Sequence, residues 1–458
     1  MKEKSKLKIN QKLKKIYYNI ENMKEGQWLT ITFFICLIIF LSISIDIIWQ
    51  PFIHAEDGII FLNDAMEKGI HSLFITYGGY FVVLSRMIAI IAICFGKIFN
   101  SFILVTSIMK WCTIIYTIIC VNYINSKDFE QIIKNRILRL VVSILAMLVM
   151  ANHIYMIYNA TGIHWWGGLL AFIAGLVFLT NKTPSYYIIP FLILAILSSP
   201  SALLIAIPII FYIVNKIWKE KNKIKEEKTK YLLNNKFELI KLIIIAIAGL
   251  LQVYAIIFVS KDIDTITNPD LSIAHISSVL EKAIIGTLKN IPYSLKFNLS
   301  YEWIIKDNFL IGTGIIMWIL LFYRALINKQ FKIVLWCFLE IFILYFMDFY
   351  KIVNYLELPG KAFYNALPAF AGILAVVKCL SDDYKRYFKF SQYSAIVGLG
   401  LVTLLFYNCT EKPDFRFCKF MYEIEDRVDF NSDTKKKIRI SPGGDWHVDV
   451  PYFKEKRK

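Results

Sequence analysis

The sequence predicts an all-α, polytopic integral membrane protein, and three observations carry that reading. Hydrophobic residues make up 57% of the 458-residue chain and charged residues only 19%, with a mean hydropathy of +0.53; a soluble domain has about 25% charged residues. The apolar residues fall in long runs: 28–49, 81–97, 102–124, 137–157, 164–180, 186–198, 201–217, 238–260, 309–327, 331–349, 363–380 and 392–408. A helix crosses the hydrocarbon core with about 20 such residues. Finally, the lysines behind the net charge of +17 gather between the runs, which is the positive-inside pattern rather than a nucleic-acid surface, and no nucleic-acid motif is present.

Residues 1–27 form a basic tail, Lys-rich from Lys2 through Lys24, that leads straight into the first run with no small-residue cleavage site. This reads as an uncleaved signal anchor with a cytoplasmic N-terminus. The stretch Lys216 to Lys236, with eight lysines against three glutamates, reads as a second cytoplasmic segment. Seven runs lie between the two, but an even number of crossings must separate them, so one run is partial. One candidate is 186–217, broken at Leu197-Ser-Ser-Pro-Ser201, where Pro200 interrupts a helix. The other is 81–97, which follows Gly78-Gly79 and carries Arg86. If 81–97 is partial, Asn159 to His164 faces outside; if 186–217 is, that turn faces the cytoplasm. Downstream, 261–308 falls outside, 328–332 inside, 350–362 outside, 378–389 inside and 409–458 outside. The resulting organisation is a tail, a transmembrane domain over 28–408 of about eleven spans with outer loops 50–80 and 261–308, and an extracytoplasmic C-terminal segment.

Cys36, Cys94, Cys112, Cys120, Cys337 and Cys379 lie in or beside apolar runs and suit packing. Cys409 and Cys418 lie in the C-terminal segment, where an extracytoplasmic location permits a disulfide or two free thiols. No zinc-type cysteine or histidine spacing occurs.

The candidate chemistry sits just beyond the first run, at Glu56-Asp57-Gly58. Vicinal carboxylates there suit proton abstraction from an acceptor hydroxyl, or a divalent metal such as Mg or Mn, beside a donor held in the bilayer. Gly58 permits close backbone approach. Residues 56–68 can form a helix with Asp57, Phe61, Asp64 and Lys68 on one stripe, Ile60 and Phe61 lying against the membrane surface, and Asp64 and Lys68 as an i,i+4 pair. Arg86 is either a phosphate ligand or the ion-pair partner of an acid such as Asp57 or Glu340. Lys351 and Lys361 flank an outer loop; Lys361 suits a phosphate oxygen or headgroup snorkelling. Glu340 sits mid-run, where an acid marks function or stays protonated, and Asp348 caps nearer the outer end. His164 with Trp165 suits a sugar ring or an interfacial aromatic belt. His54 and His71 flank the acidic loop without a metal-ligand spacing.

Residues 49–90, Trp-Gln-Pro-Phe-Ile-His-Ala-Glu-Asp-Gly-Ile-Ile-Phe followed by Ser72-Leu73-Phe74, Tyr77-Gly-Gly-Tyr80 and Ser85-Arg86, resemble the start of bacterial polytopic glycosyltransferases of the GT-C superfamily. Asn159 to Trp165, the break at Ser198-Ser199-Pro200 and the run Ile440-Ser-Pro-Gly-Gly-Asp-Trp446 also fit. The resemblance implies a GT-C-like helical bundle with extracytoplasmic loop helices. It implies inverting transfer of a sugar from a polyprenyl-phosphate donor to a surface polysaccharide or glycolipid, outside the cytoplasmic membrane. Asp57 or Glu56 matches the base or metal ligand; Arg86, Lys351 and Lys361 would bind donor phosphate; His164, Trp165, Tyr80 and Asn159 would contact substrate. Rival readings are a polymerase or ligase for lipid-linked glycan blocks, and a flippase or secondary transporter. No internal repeat of the kind common in transporters is evident.

Overall fold

The computed structural model describes residues 15, 18–43, 50–51, 53–150, 159–221, 236–259, 272–296, 307–351, 366–381, 421–422, 425–432, 434–440 and 447–451. Among the described residues the chain is a helical bundle with two small antiparallel ribbons. Five helical segments among the described residues are long and apolar enough to cross a membrane: Glu25–Ser42, Phe102–Asn125, Pro200–Trp218, Phe237–Phe258 and Leu310–Ile327. Ile163–Leu179, Tyr186–Ile196 and Ala366–Cys379 are shorter apolar helices.

In chain order the helices are α1 (Glu25–Ile43), α2 (Asn63–Lys68), α3 (Val83–Phe99), α4 (Phe102–Asn122), α5 (Arg136–Met150), α6 (Ile163–Leu179), α7 (Ile189–Ile196), α8 (Ala206–Lys221), α9 (Lys236–Phe258), α10 (Ile273–Lys296), α11 (Asp307–Ile327), α12 (Phe331–Lys351) and α13 (Ala366–Ser381). The ribbons are β1 (Thr76–Tyr77) with β2 (Tyr80–Phe81), and β3 (Lys435–Arg439) with β4 (His447–Pro451). Gly78 and Gly79, at φ +62° and +82°, make the first ribbon's two-residue turn, which needs left-handed backbone at both positions.

The described helices follow the apolar runs, apart from α2, which lies in the 56–68 stretch expected to be helical, and one unexpected helix. The stretch 261–308, expected to be an outer loop, carries α10, which packs between α11, α12 and α13. Val279, Ala283 and Ile291 are buried along it, while Glu281, Lys282 and Lys289 interrupt the run. Averaged hydropathy hides an apolar stripe of this kind. The run 392–408 and Cys409 and Cys418 lie outside the described residues.

Interhelical hydrogen bonds stitch α1, α4 and α5 together. Thr32 donates to Asn122, and Asn125 donates to Asn122 and Ser143. In an apolar bundle such groups bond one another because lipid offers no partner. The start of α1, the end of α4 and the start of α5 share one end of the bundle: Glu25 pairs with Lys127, and Arg136 donates to the carbonyls of Ile20 and Met23. Asp128 accepts from Ser185 there, and Lys241 donates to the Pro184 carbonyl.

The opposite end is built by the loop after α1, the turn before α6, the break between α7 and α8, and the C-terminal segment. Both ends of α3 belong to it. At its start, Val83 N–H donates to the Leu197 carbonyl, Leu84 N–H to Ser198 Oγ, and Ser85 Oγ–H to the Ala160 carbonyl. Just past its end, Asn100 donates to the Val428 carbonyl. Helix α3 therefore meets elements of this end with both of its termini. The stretch 186–217 runs from Asp128 up to α3 and back to the Lys216–Glu238 pair.

The C-terminal segment is tied to the start of α4 by Glu425, whose carboxylate accepts from the N–H groups of Phe102 and Ile103, both at 3.1 Å. An anion at a helix N-terminus satisfies orphan donors and opposes the dipole. Glu425→Gln should weaken this tether by about 1 kcal/mol, and limited proteolysis should nick the C-terminal segment faster than in the wild type.

Candidate active site

The first loop places its two acids differently. Asp57 opens a π-helical segment, Asp57–Leu62, that runs directly into α2. Such segments occur mostly as single-turn insertions at functional sites. Ala55, at φ +35°, holds backbone strain one residue before Glu56.

The Asp57 side chain is 3% exposed. Its Oδ1 accepts from the Thr161 N–H at 2.8 Å and the Thr161 Oγ–H at 2.6 Å, and its Oδ2 from the Ala160 N–H at 2.8 Å. These donors lie in the turn that opens α6, so the carboxylate meets unsatisfied amides at the positive end of a helix. Each carboxylate oxygen accepts about two bonds, so Oδ1 is filled and Oδ2 keeps one lone pair. Burial pushes the Asp57 carboxyl up to about 7, against the three hydrogen bonds that pull it down, and the Glu56 carboxylate adds to the rise. A carboxyl poised near neutrality suits general-base chemistry. Thr161→Val removes one of the donors holding the anion, worth about 1.5–3 kcal/mol for a charged acceptor, or roughly 1–2 pH units. The carboxyl then rises further, and any activity that needs it ionised should shift to more alkaline pH.

Glu56 is half-buried and accepts from the Tyr77 hydroxyl at 3.2 Å. Tyr80, expected to contact substrate, lies in β2; burial and then Glu56 raise its phenol to about 12. Donors surround Asp57, which leaves a divalent cation at most one lone pair there. The pair as disposed does not fit a Mg or Mn ligand set. His54 is buried and His71 exposed.

Arg86 is 1% exposed and pairs with Asp64 at 2.7 Å, and Asp64 also binds Lys68 at 2.7 Å. Its ion-pair partner is thus neither Asp57 nor Glu340. The guanidinium lies 5.6 Å from the centre of the Phe61 ring. Phe61 is accordingly buried rather than laid against a membrane surface, because it covers a charge that burial would otherwise strand. The Asp64–Lys68 pair is present as expected, but its acid also answers Arg86; against burial, which raises it, the hydrogen bonds from Lys68 and then Arg86 hold the Asp64 carboxyl below the usual range.

Comparison with profiles of known protein families, with curated proteins and with solved structures finds no match. The site is therefore read from its own geometry. His164 stands in the first turn of α6 with Nδ1 against the Thr161 carbonyl, and its ring lies 4.8 Å from that of Trp165. Asn159 is buried just before the turn. The structure thus brings Glu56, Asp57, Tyr80, Asn159, His164 and Trp165 to one end of the bundle. Lys351 ends α12 and Lys361 lies outside the described residues. Glu340 is buried in α12, and its Oε2 has no partner among the described residues; Asp348 lies in the same helix.

Thr161 is a participant that the sequence did not single out, while Ser198 and Ile440 were named only as parts of patches that fit the GT-C resemblance. A polar break before an apolar run, Asn159-Ala-Thr-Gly162, is the signal that points to Thr161. Ser198 lies in the Ser-Ser-Pro break and caps α3. Of the run Ile440–Trp446, Ile440 is described, and it packs against Gly58.

Proposed function

We propose that this protein is a membrane glycosyltransferase that moves a sugar from a polyprenyl-phosphate donor to a surface polysaccharide or glycolipid on the extracytoplasmic face. The observation that carries the reading is Asp57, a buried carboxyl near neutrality, held by the turn that opens an apolar helix at one end of a membrane-type bundle. In this reaction Oδ2 of Asp57 takes the acceptor hydroxyl proton. The acceptor oxygen forms its bond to the anomeric carbon as the carbon–oxygen bond to phosphate breaks, and the lipid phosphate leaves with that electron pair. Inversion follows from attack on the face opposite the phosphate. The Coulombic effect of Glu56 raises the Asp57 carboxyl and so favours proton uptake. The GT-C likeness of residues 49–90 supports the donor class; that resemblance assigns the lipid phosphate to Arg86, Lys351 and Lys361, and Arg86 is already paired with Asp64.

A transporter is the second reading, favoured by one observation: the buried Glu340 in α12, whose Oε2 has no partner among the described residues. The two readings separate in one experiment. Membranes lacking the protein are supplied with wild type, Asp57→Asn or Glu340→Gln, together with polyprenyl phosphate carrying a labelled sugar. The enzyme reading expects label in the polysaccharide fraction with wild type and Glu340→Gln and not with Asp57→Asn. Transfer that survives Asp57→Asn and fails with Glu340→Gln contradicts it and favours transport.

A further inference from the structure

We propose that the C-terminal hairpin β3–β4 is a wall of this acid site, and that Ile440 is a positioning residue that holds the Asp57 turn through Gly58. The inference rests on the reading of Asp57 as the base, and goes beyond it by giving the C-terminal segment a task.

Gly58 follows Asp57 and has no side chain because the hairpin occupies that space. A Cβ there would lie 2.4 Å from Ile440 Cδ1, 3.2 Å from Ile53 Cγ2 and 3.3 Å from Val448 Cβ. The hairpin is drawn onto this end of the bundle by two polar contacts. The Asp449 N–H donates to Asn63 Oδ1 at 3.0 Å, and Lys435 pairs with Glu67 at 2.8 Å. Both partners belong to α2, the direct continuation of the Asp57 segment. Ile438, Ile440, Val448 and Val450 are buried, while the β3 residues Lys435, Lys436, Lys437 and Arg439 are exposed. The hairpin therefore has an apolar face turned inward and a basic strand turned to water. Its other attachment, Glu425 and Val428 at the junction of α3 and α4, lies at the far end of α3. The segment thus spans this end of the bundle and finishes on the residue next to the acid.

Thinning the Ile440 side chain opens a path for water to the Asp57 turn. The titratable and charged groups brought there are His54, Glu56, Tyr77 and Tyr80 from the loop, Arg86 with Asp64 and Lys68 from α3 and α2, His164 from α6, and Asp449 with His447 from the hairpin. None of them is altered by changing Ile440, so a change in titration reports hydration of Asp57.

The test uses full-length protein in lipid nanodiscs, with Ile440→Val and Ile440→Ala compared with the wild type. Ile440→Val removes only Cδ1, the atom nearest Gly58, and is mild enough to keep the fold. The expected result is graded: the midpoint of the transfer rate against pH moves to lower pH, by a few tenths of a unit for Val and about one unit or more for Ala, with the loss at high pH falling on kcat rather than KM. Amide exchange of the peptide containing Ala160 and Thr161 should rise severalfold in the same order, while that of α9 stays unchanged. An unchanged midpoint together with unchanged exchange in both variants overturns the proposal. Exchange is read without any transfer reaction, so the two readings fail separately. Transfer surviving Asp57→Asn sinks the base assignment, whereas loss of transfer in Asp57→Asn with silent Ile440 variants sinks only the role of the hairpin.

Discussion

Asp57→Asn should lower sugar transfer by about 10²–10⁴-fold, the usual contribution of a positioned general base, while the protein still inserts and folds. The Asn amide keeps the size and loses the proton-accepting lone pair of Oδ2. The wild-type rate should rise with pH about a midpoint near 7, because the base must be ionised. The same group affects stability. Its folded value lies well above the 3.8 of a free carboxyl, so the unfolded chain gives up this proton first. Its contribution is fully present below about pH 4 and is lost as pH rises through 7. At 1.36 kcal/mol per unit the loss approaches roughly 4 kcal/mol. The Asn variant carries no such titration, though it turns one donor against Ala160 or Thr161, at about 1–3 kcal/mol. Thermal unfolding of the two proteins between about pH 4 and 9 should show the wild type weakening as pH rises toward 7 and levelling off above it, and the variant flat. Parallel curves contradict the assignment.

Asp64→Asn should be the most damaging substitution for stability. It strands Arg86, whose side chain is 1% exposed, whereas the Asp64 side chain is 17% exposed. Removing one partner of a buried pair costs about 3–5 kcal/mol, because the remaining charge has no water to turn to. Lys68, 47% exposed, should matter little; a surface pair is worth about 0–1 kcal/mol. The double variant Asp64→Asn/Arg86→Met should recover much of the loss, since it removes the stranded charge and keeps apolar volume over Phe61. Chemical denaturation of purified protein measures all of these. A double variant no more stable than Asp64→Asn alone shows that the cost lies elsewhere.

The apolar runs made the bundle legible in the sequence, because transmembrane length and composition are nearly one-dimensional constraints. The acid pair was legible too, as polar residues beside such a run. Helix α10 was not, since Glu281, Lys282 and Lys289 dilute the window that its buried stripe of Val279, Ala283 and Ile291 would otherwise reveal. The division of labour between the acids was not legible either. Glu56 and Asp57 are adjacent, and only the turn at Ala160–Thr161, about a hundred positions away in the chain, separates a carboxylate bound by three donors from one bound by a tyrosine. Arg86, a charge within an apolar run, was left between a phosphate ligand and the partner of an acid such as Asp57 or Glu340, and its partner is instead Asp64, which the sequence paired with Lys68. A carboxylate has two oxygens, and here each serves one cation. The contact of the C-terminal segment with Gly58 depends on tertiary packing that no local pattern encodes.

The sugar composition of the host's surface polysaccharides, in wild type, a deletion strain and Asp57→Asn at equal protein level, tests the proposed role of Asp57 in sugar transfer. One side-chain sugar is expected to disappear from both mutant strains while the polysaccharide backbone persists. A deletion that loses the sugar beside an Asp57→Asn strain that keeps it would leave the protein in glycan assembly without Asp57 as its base.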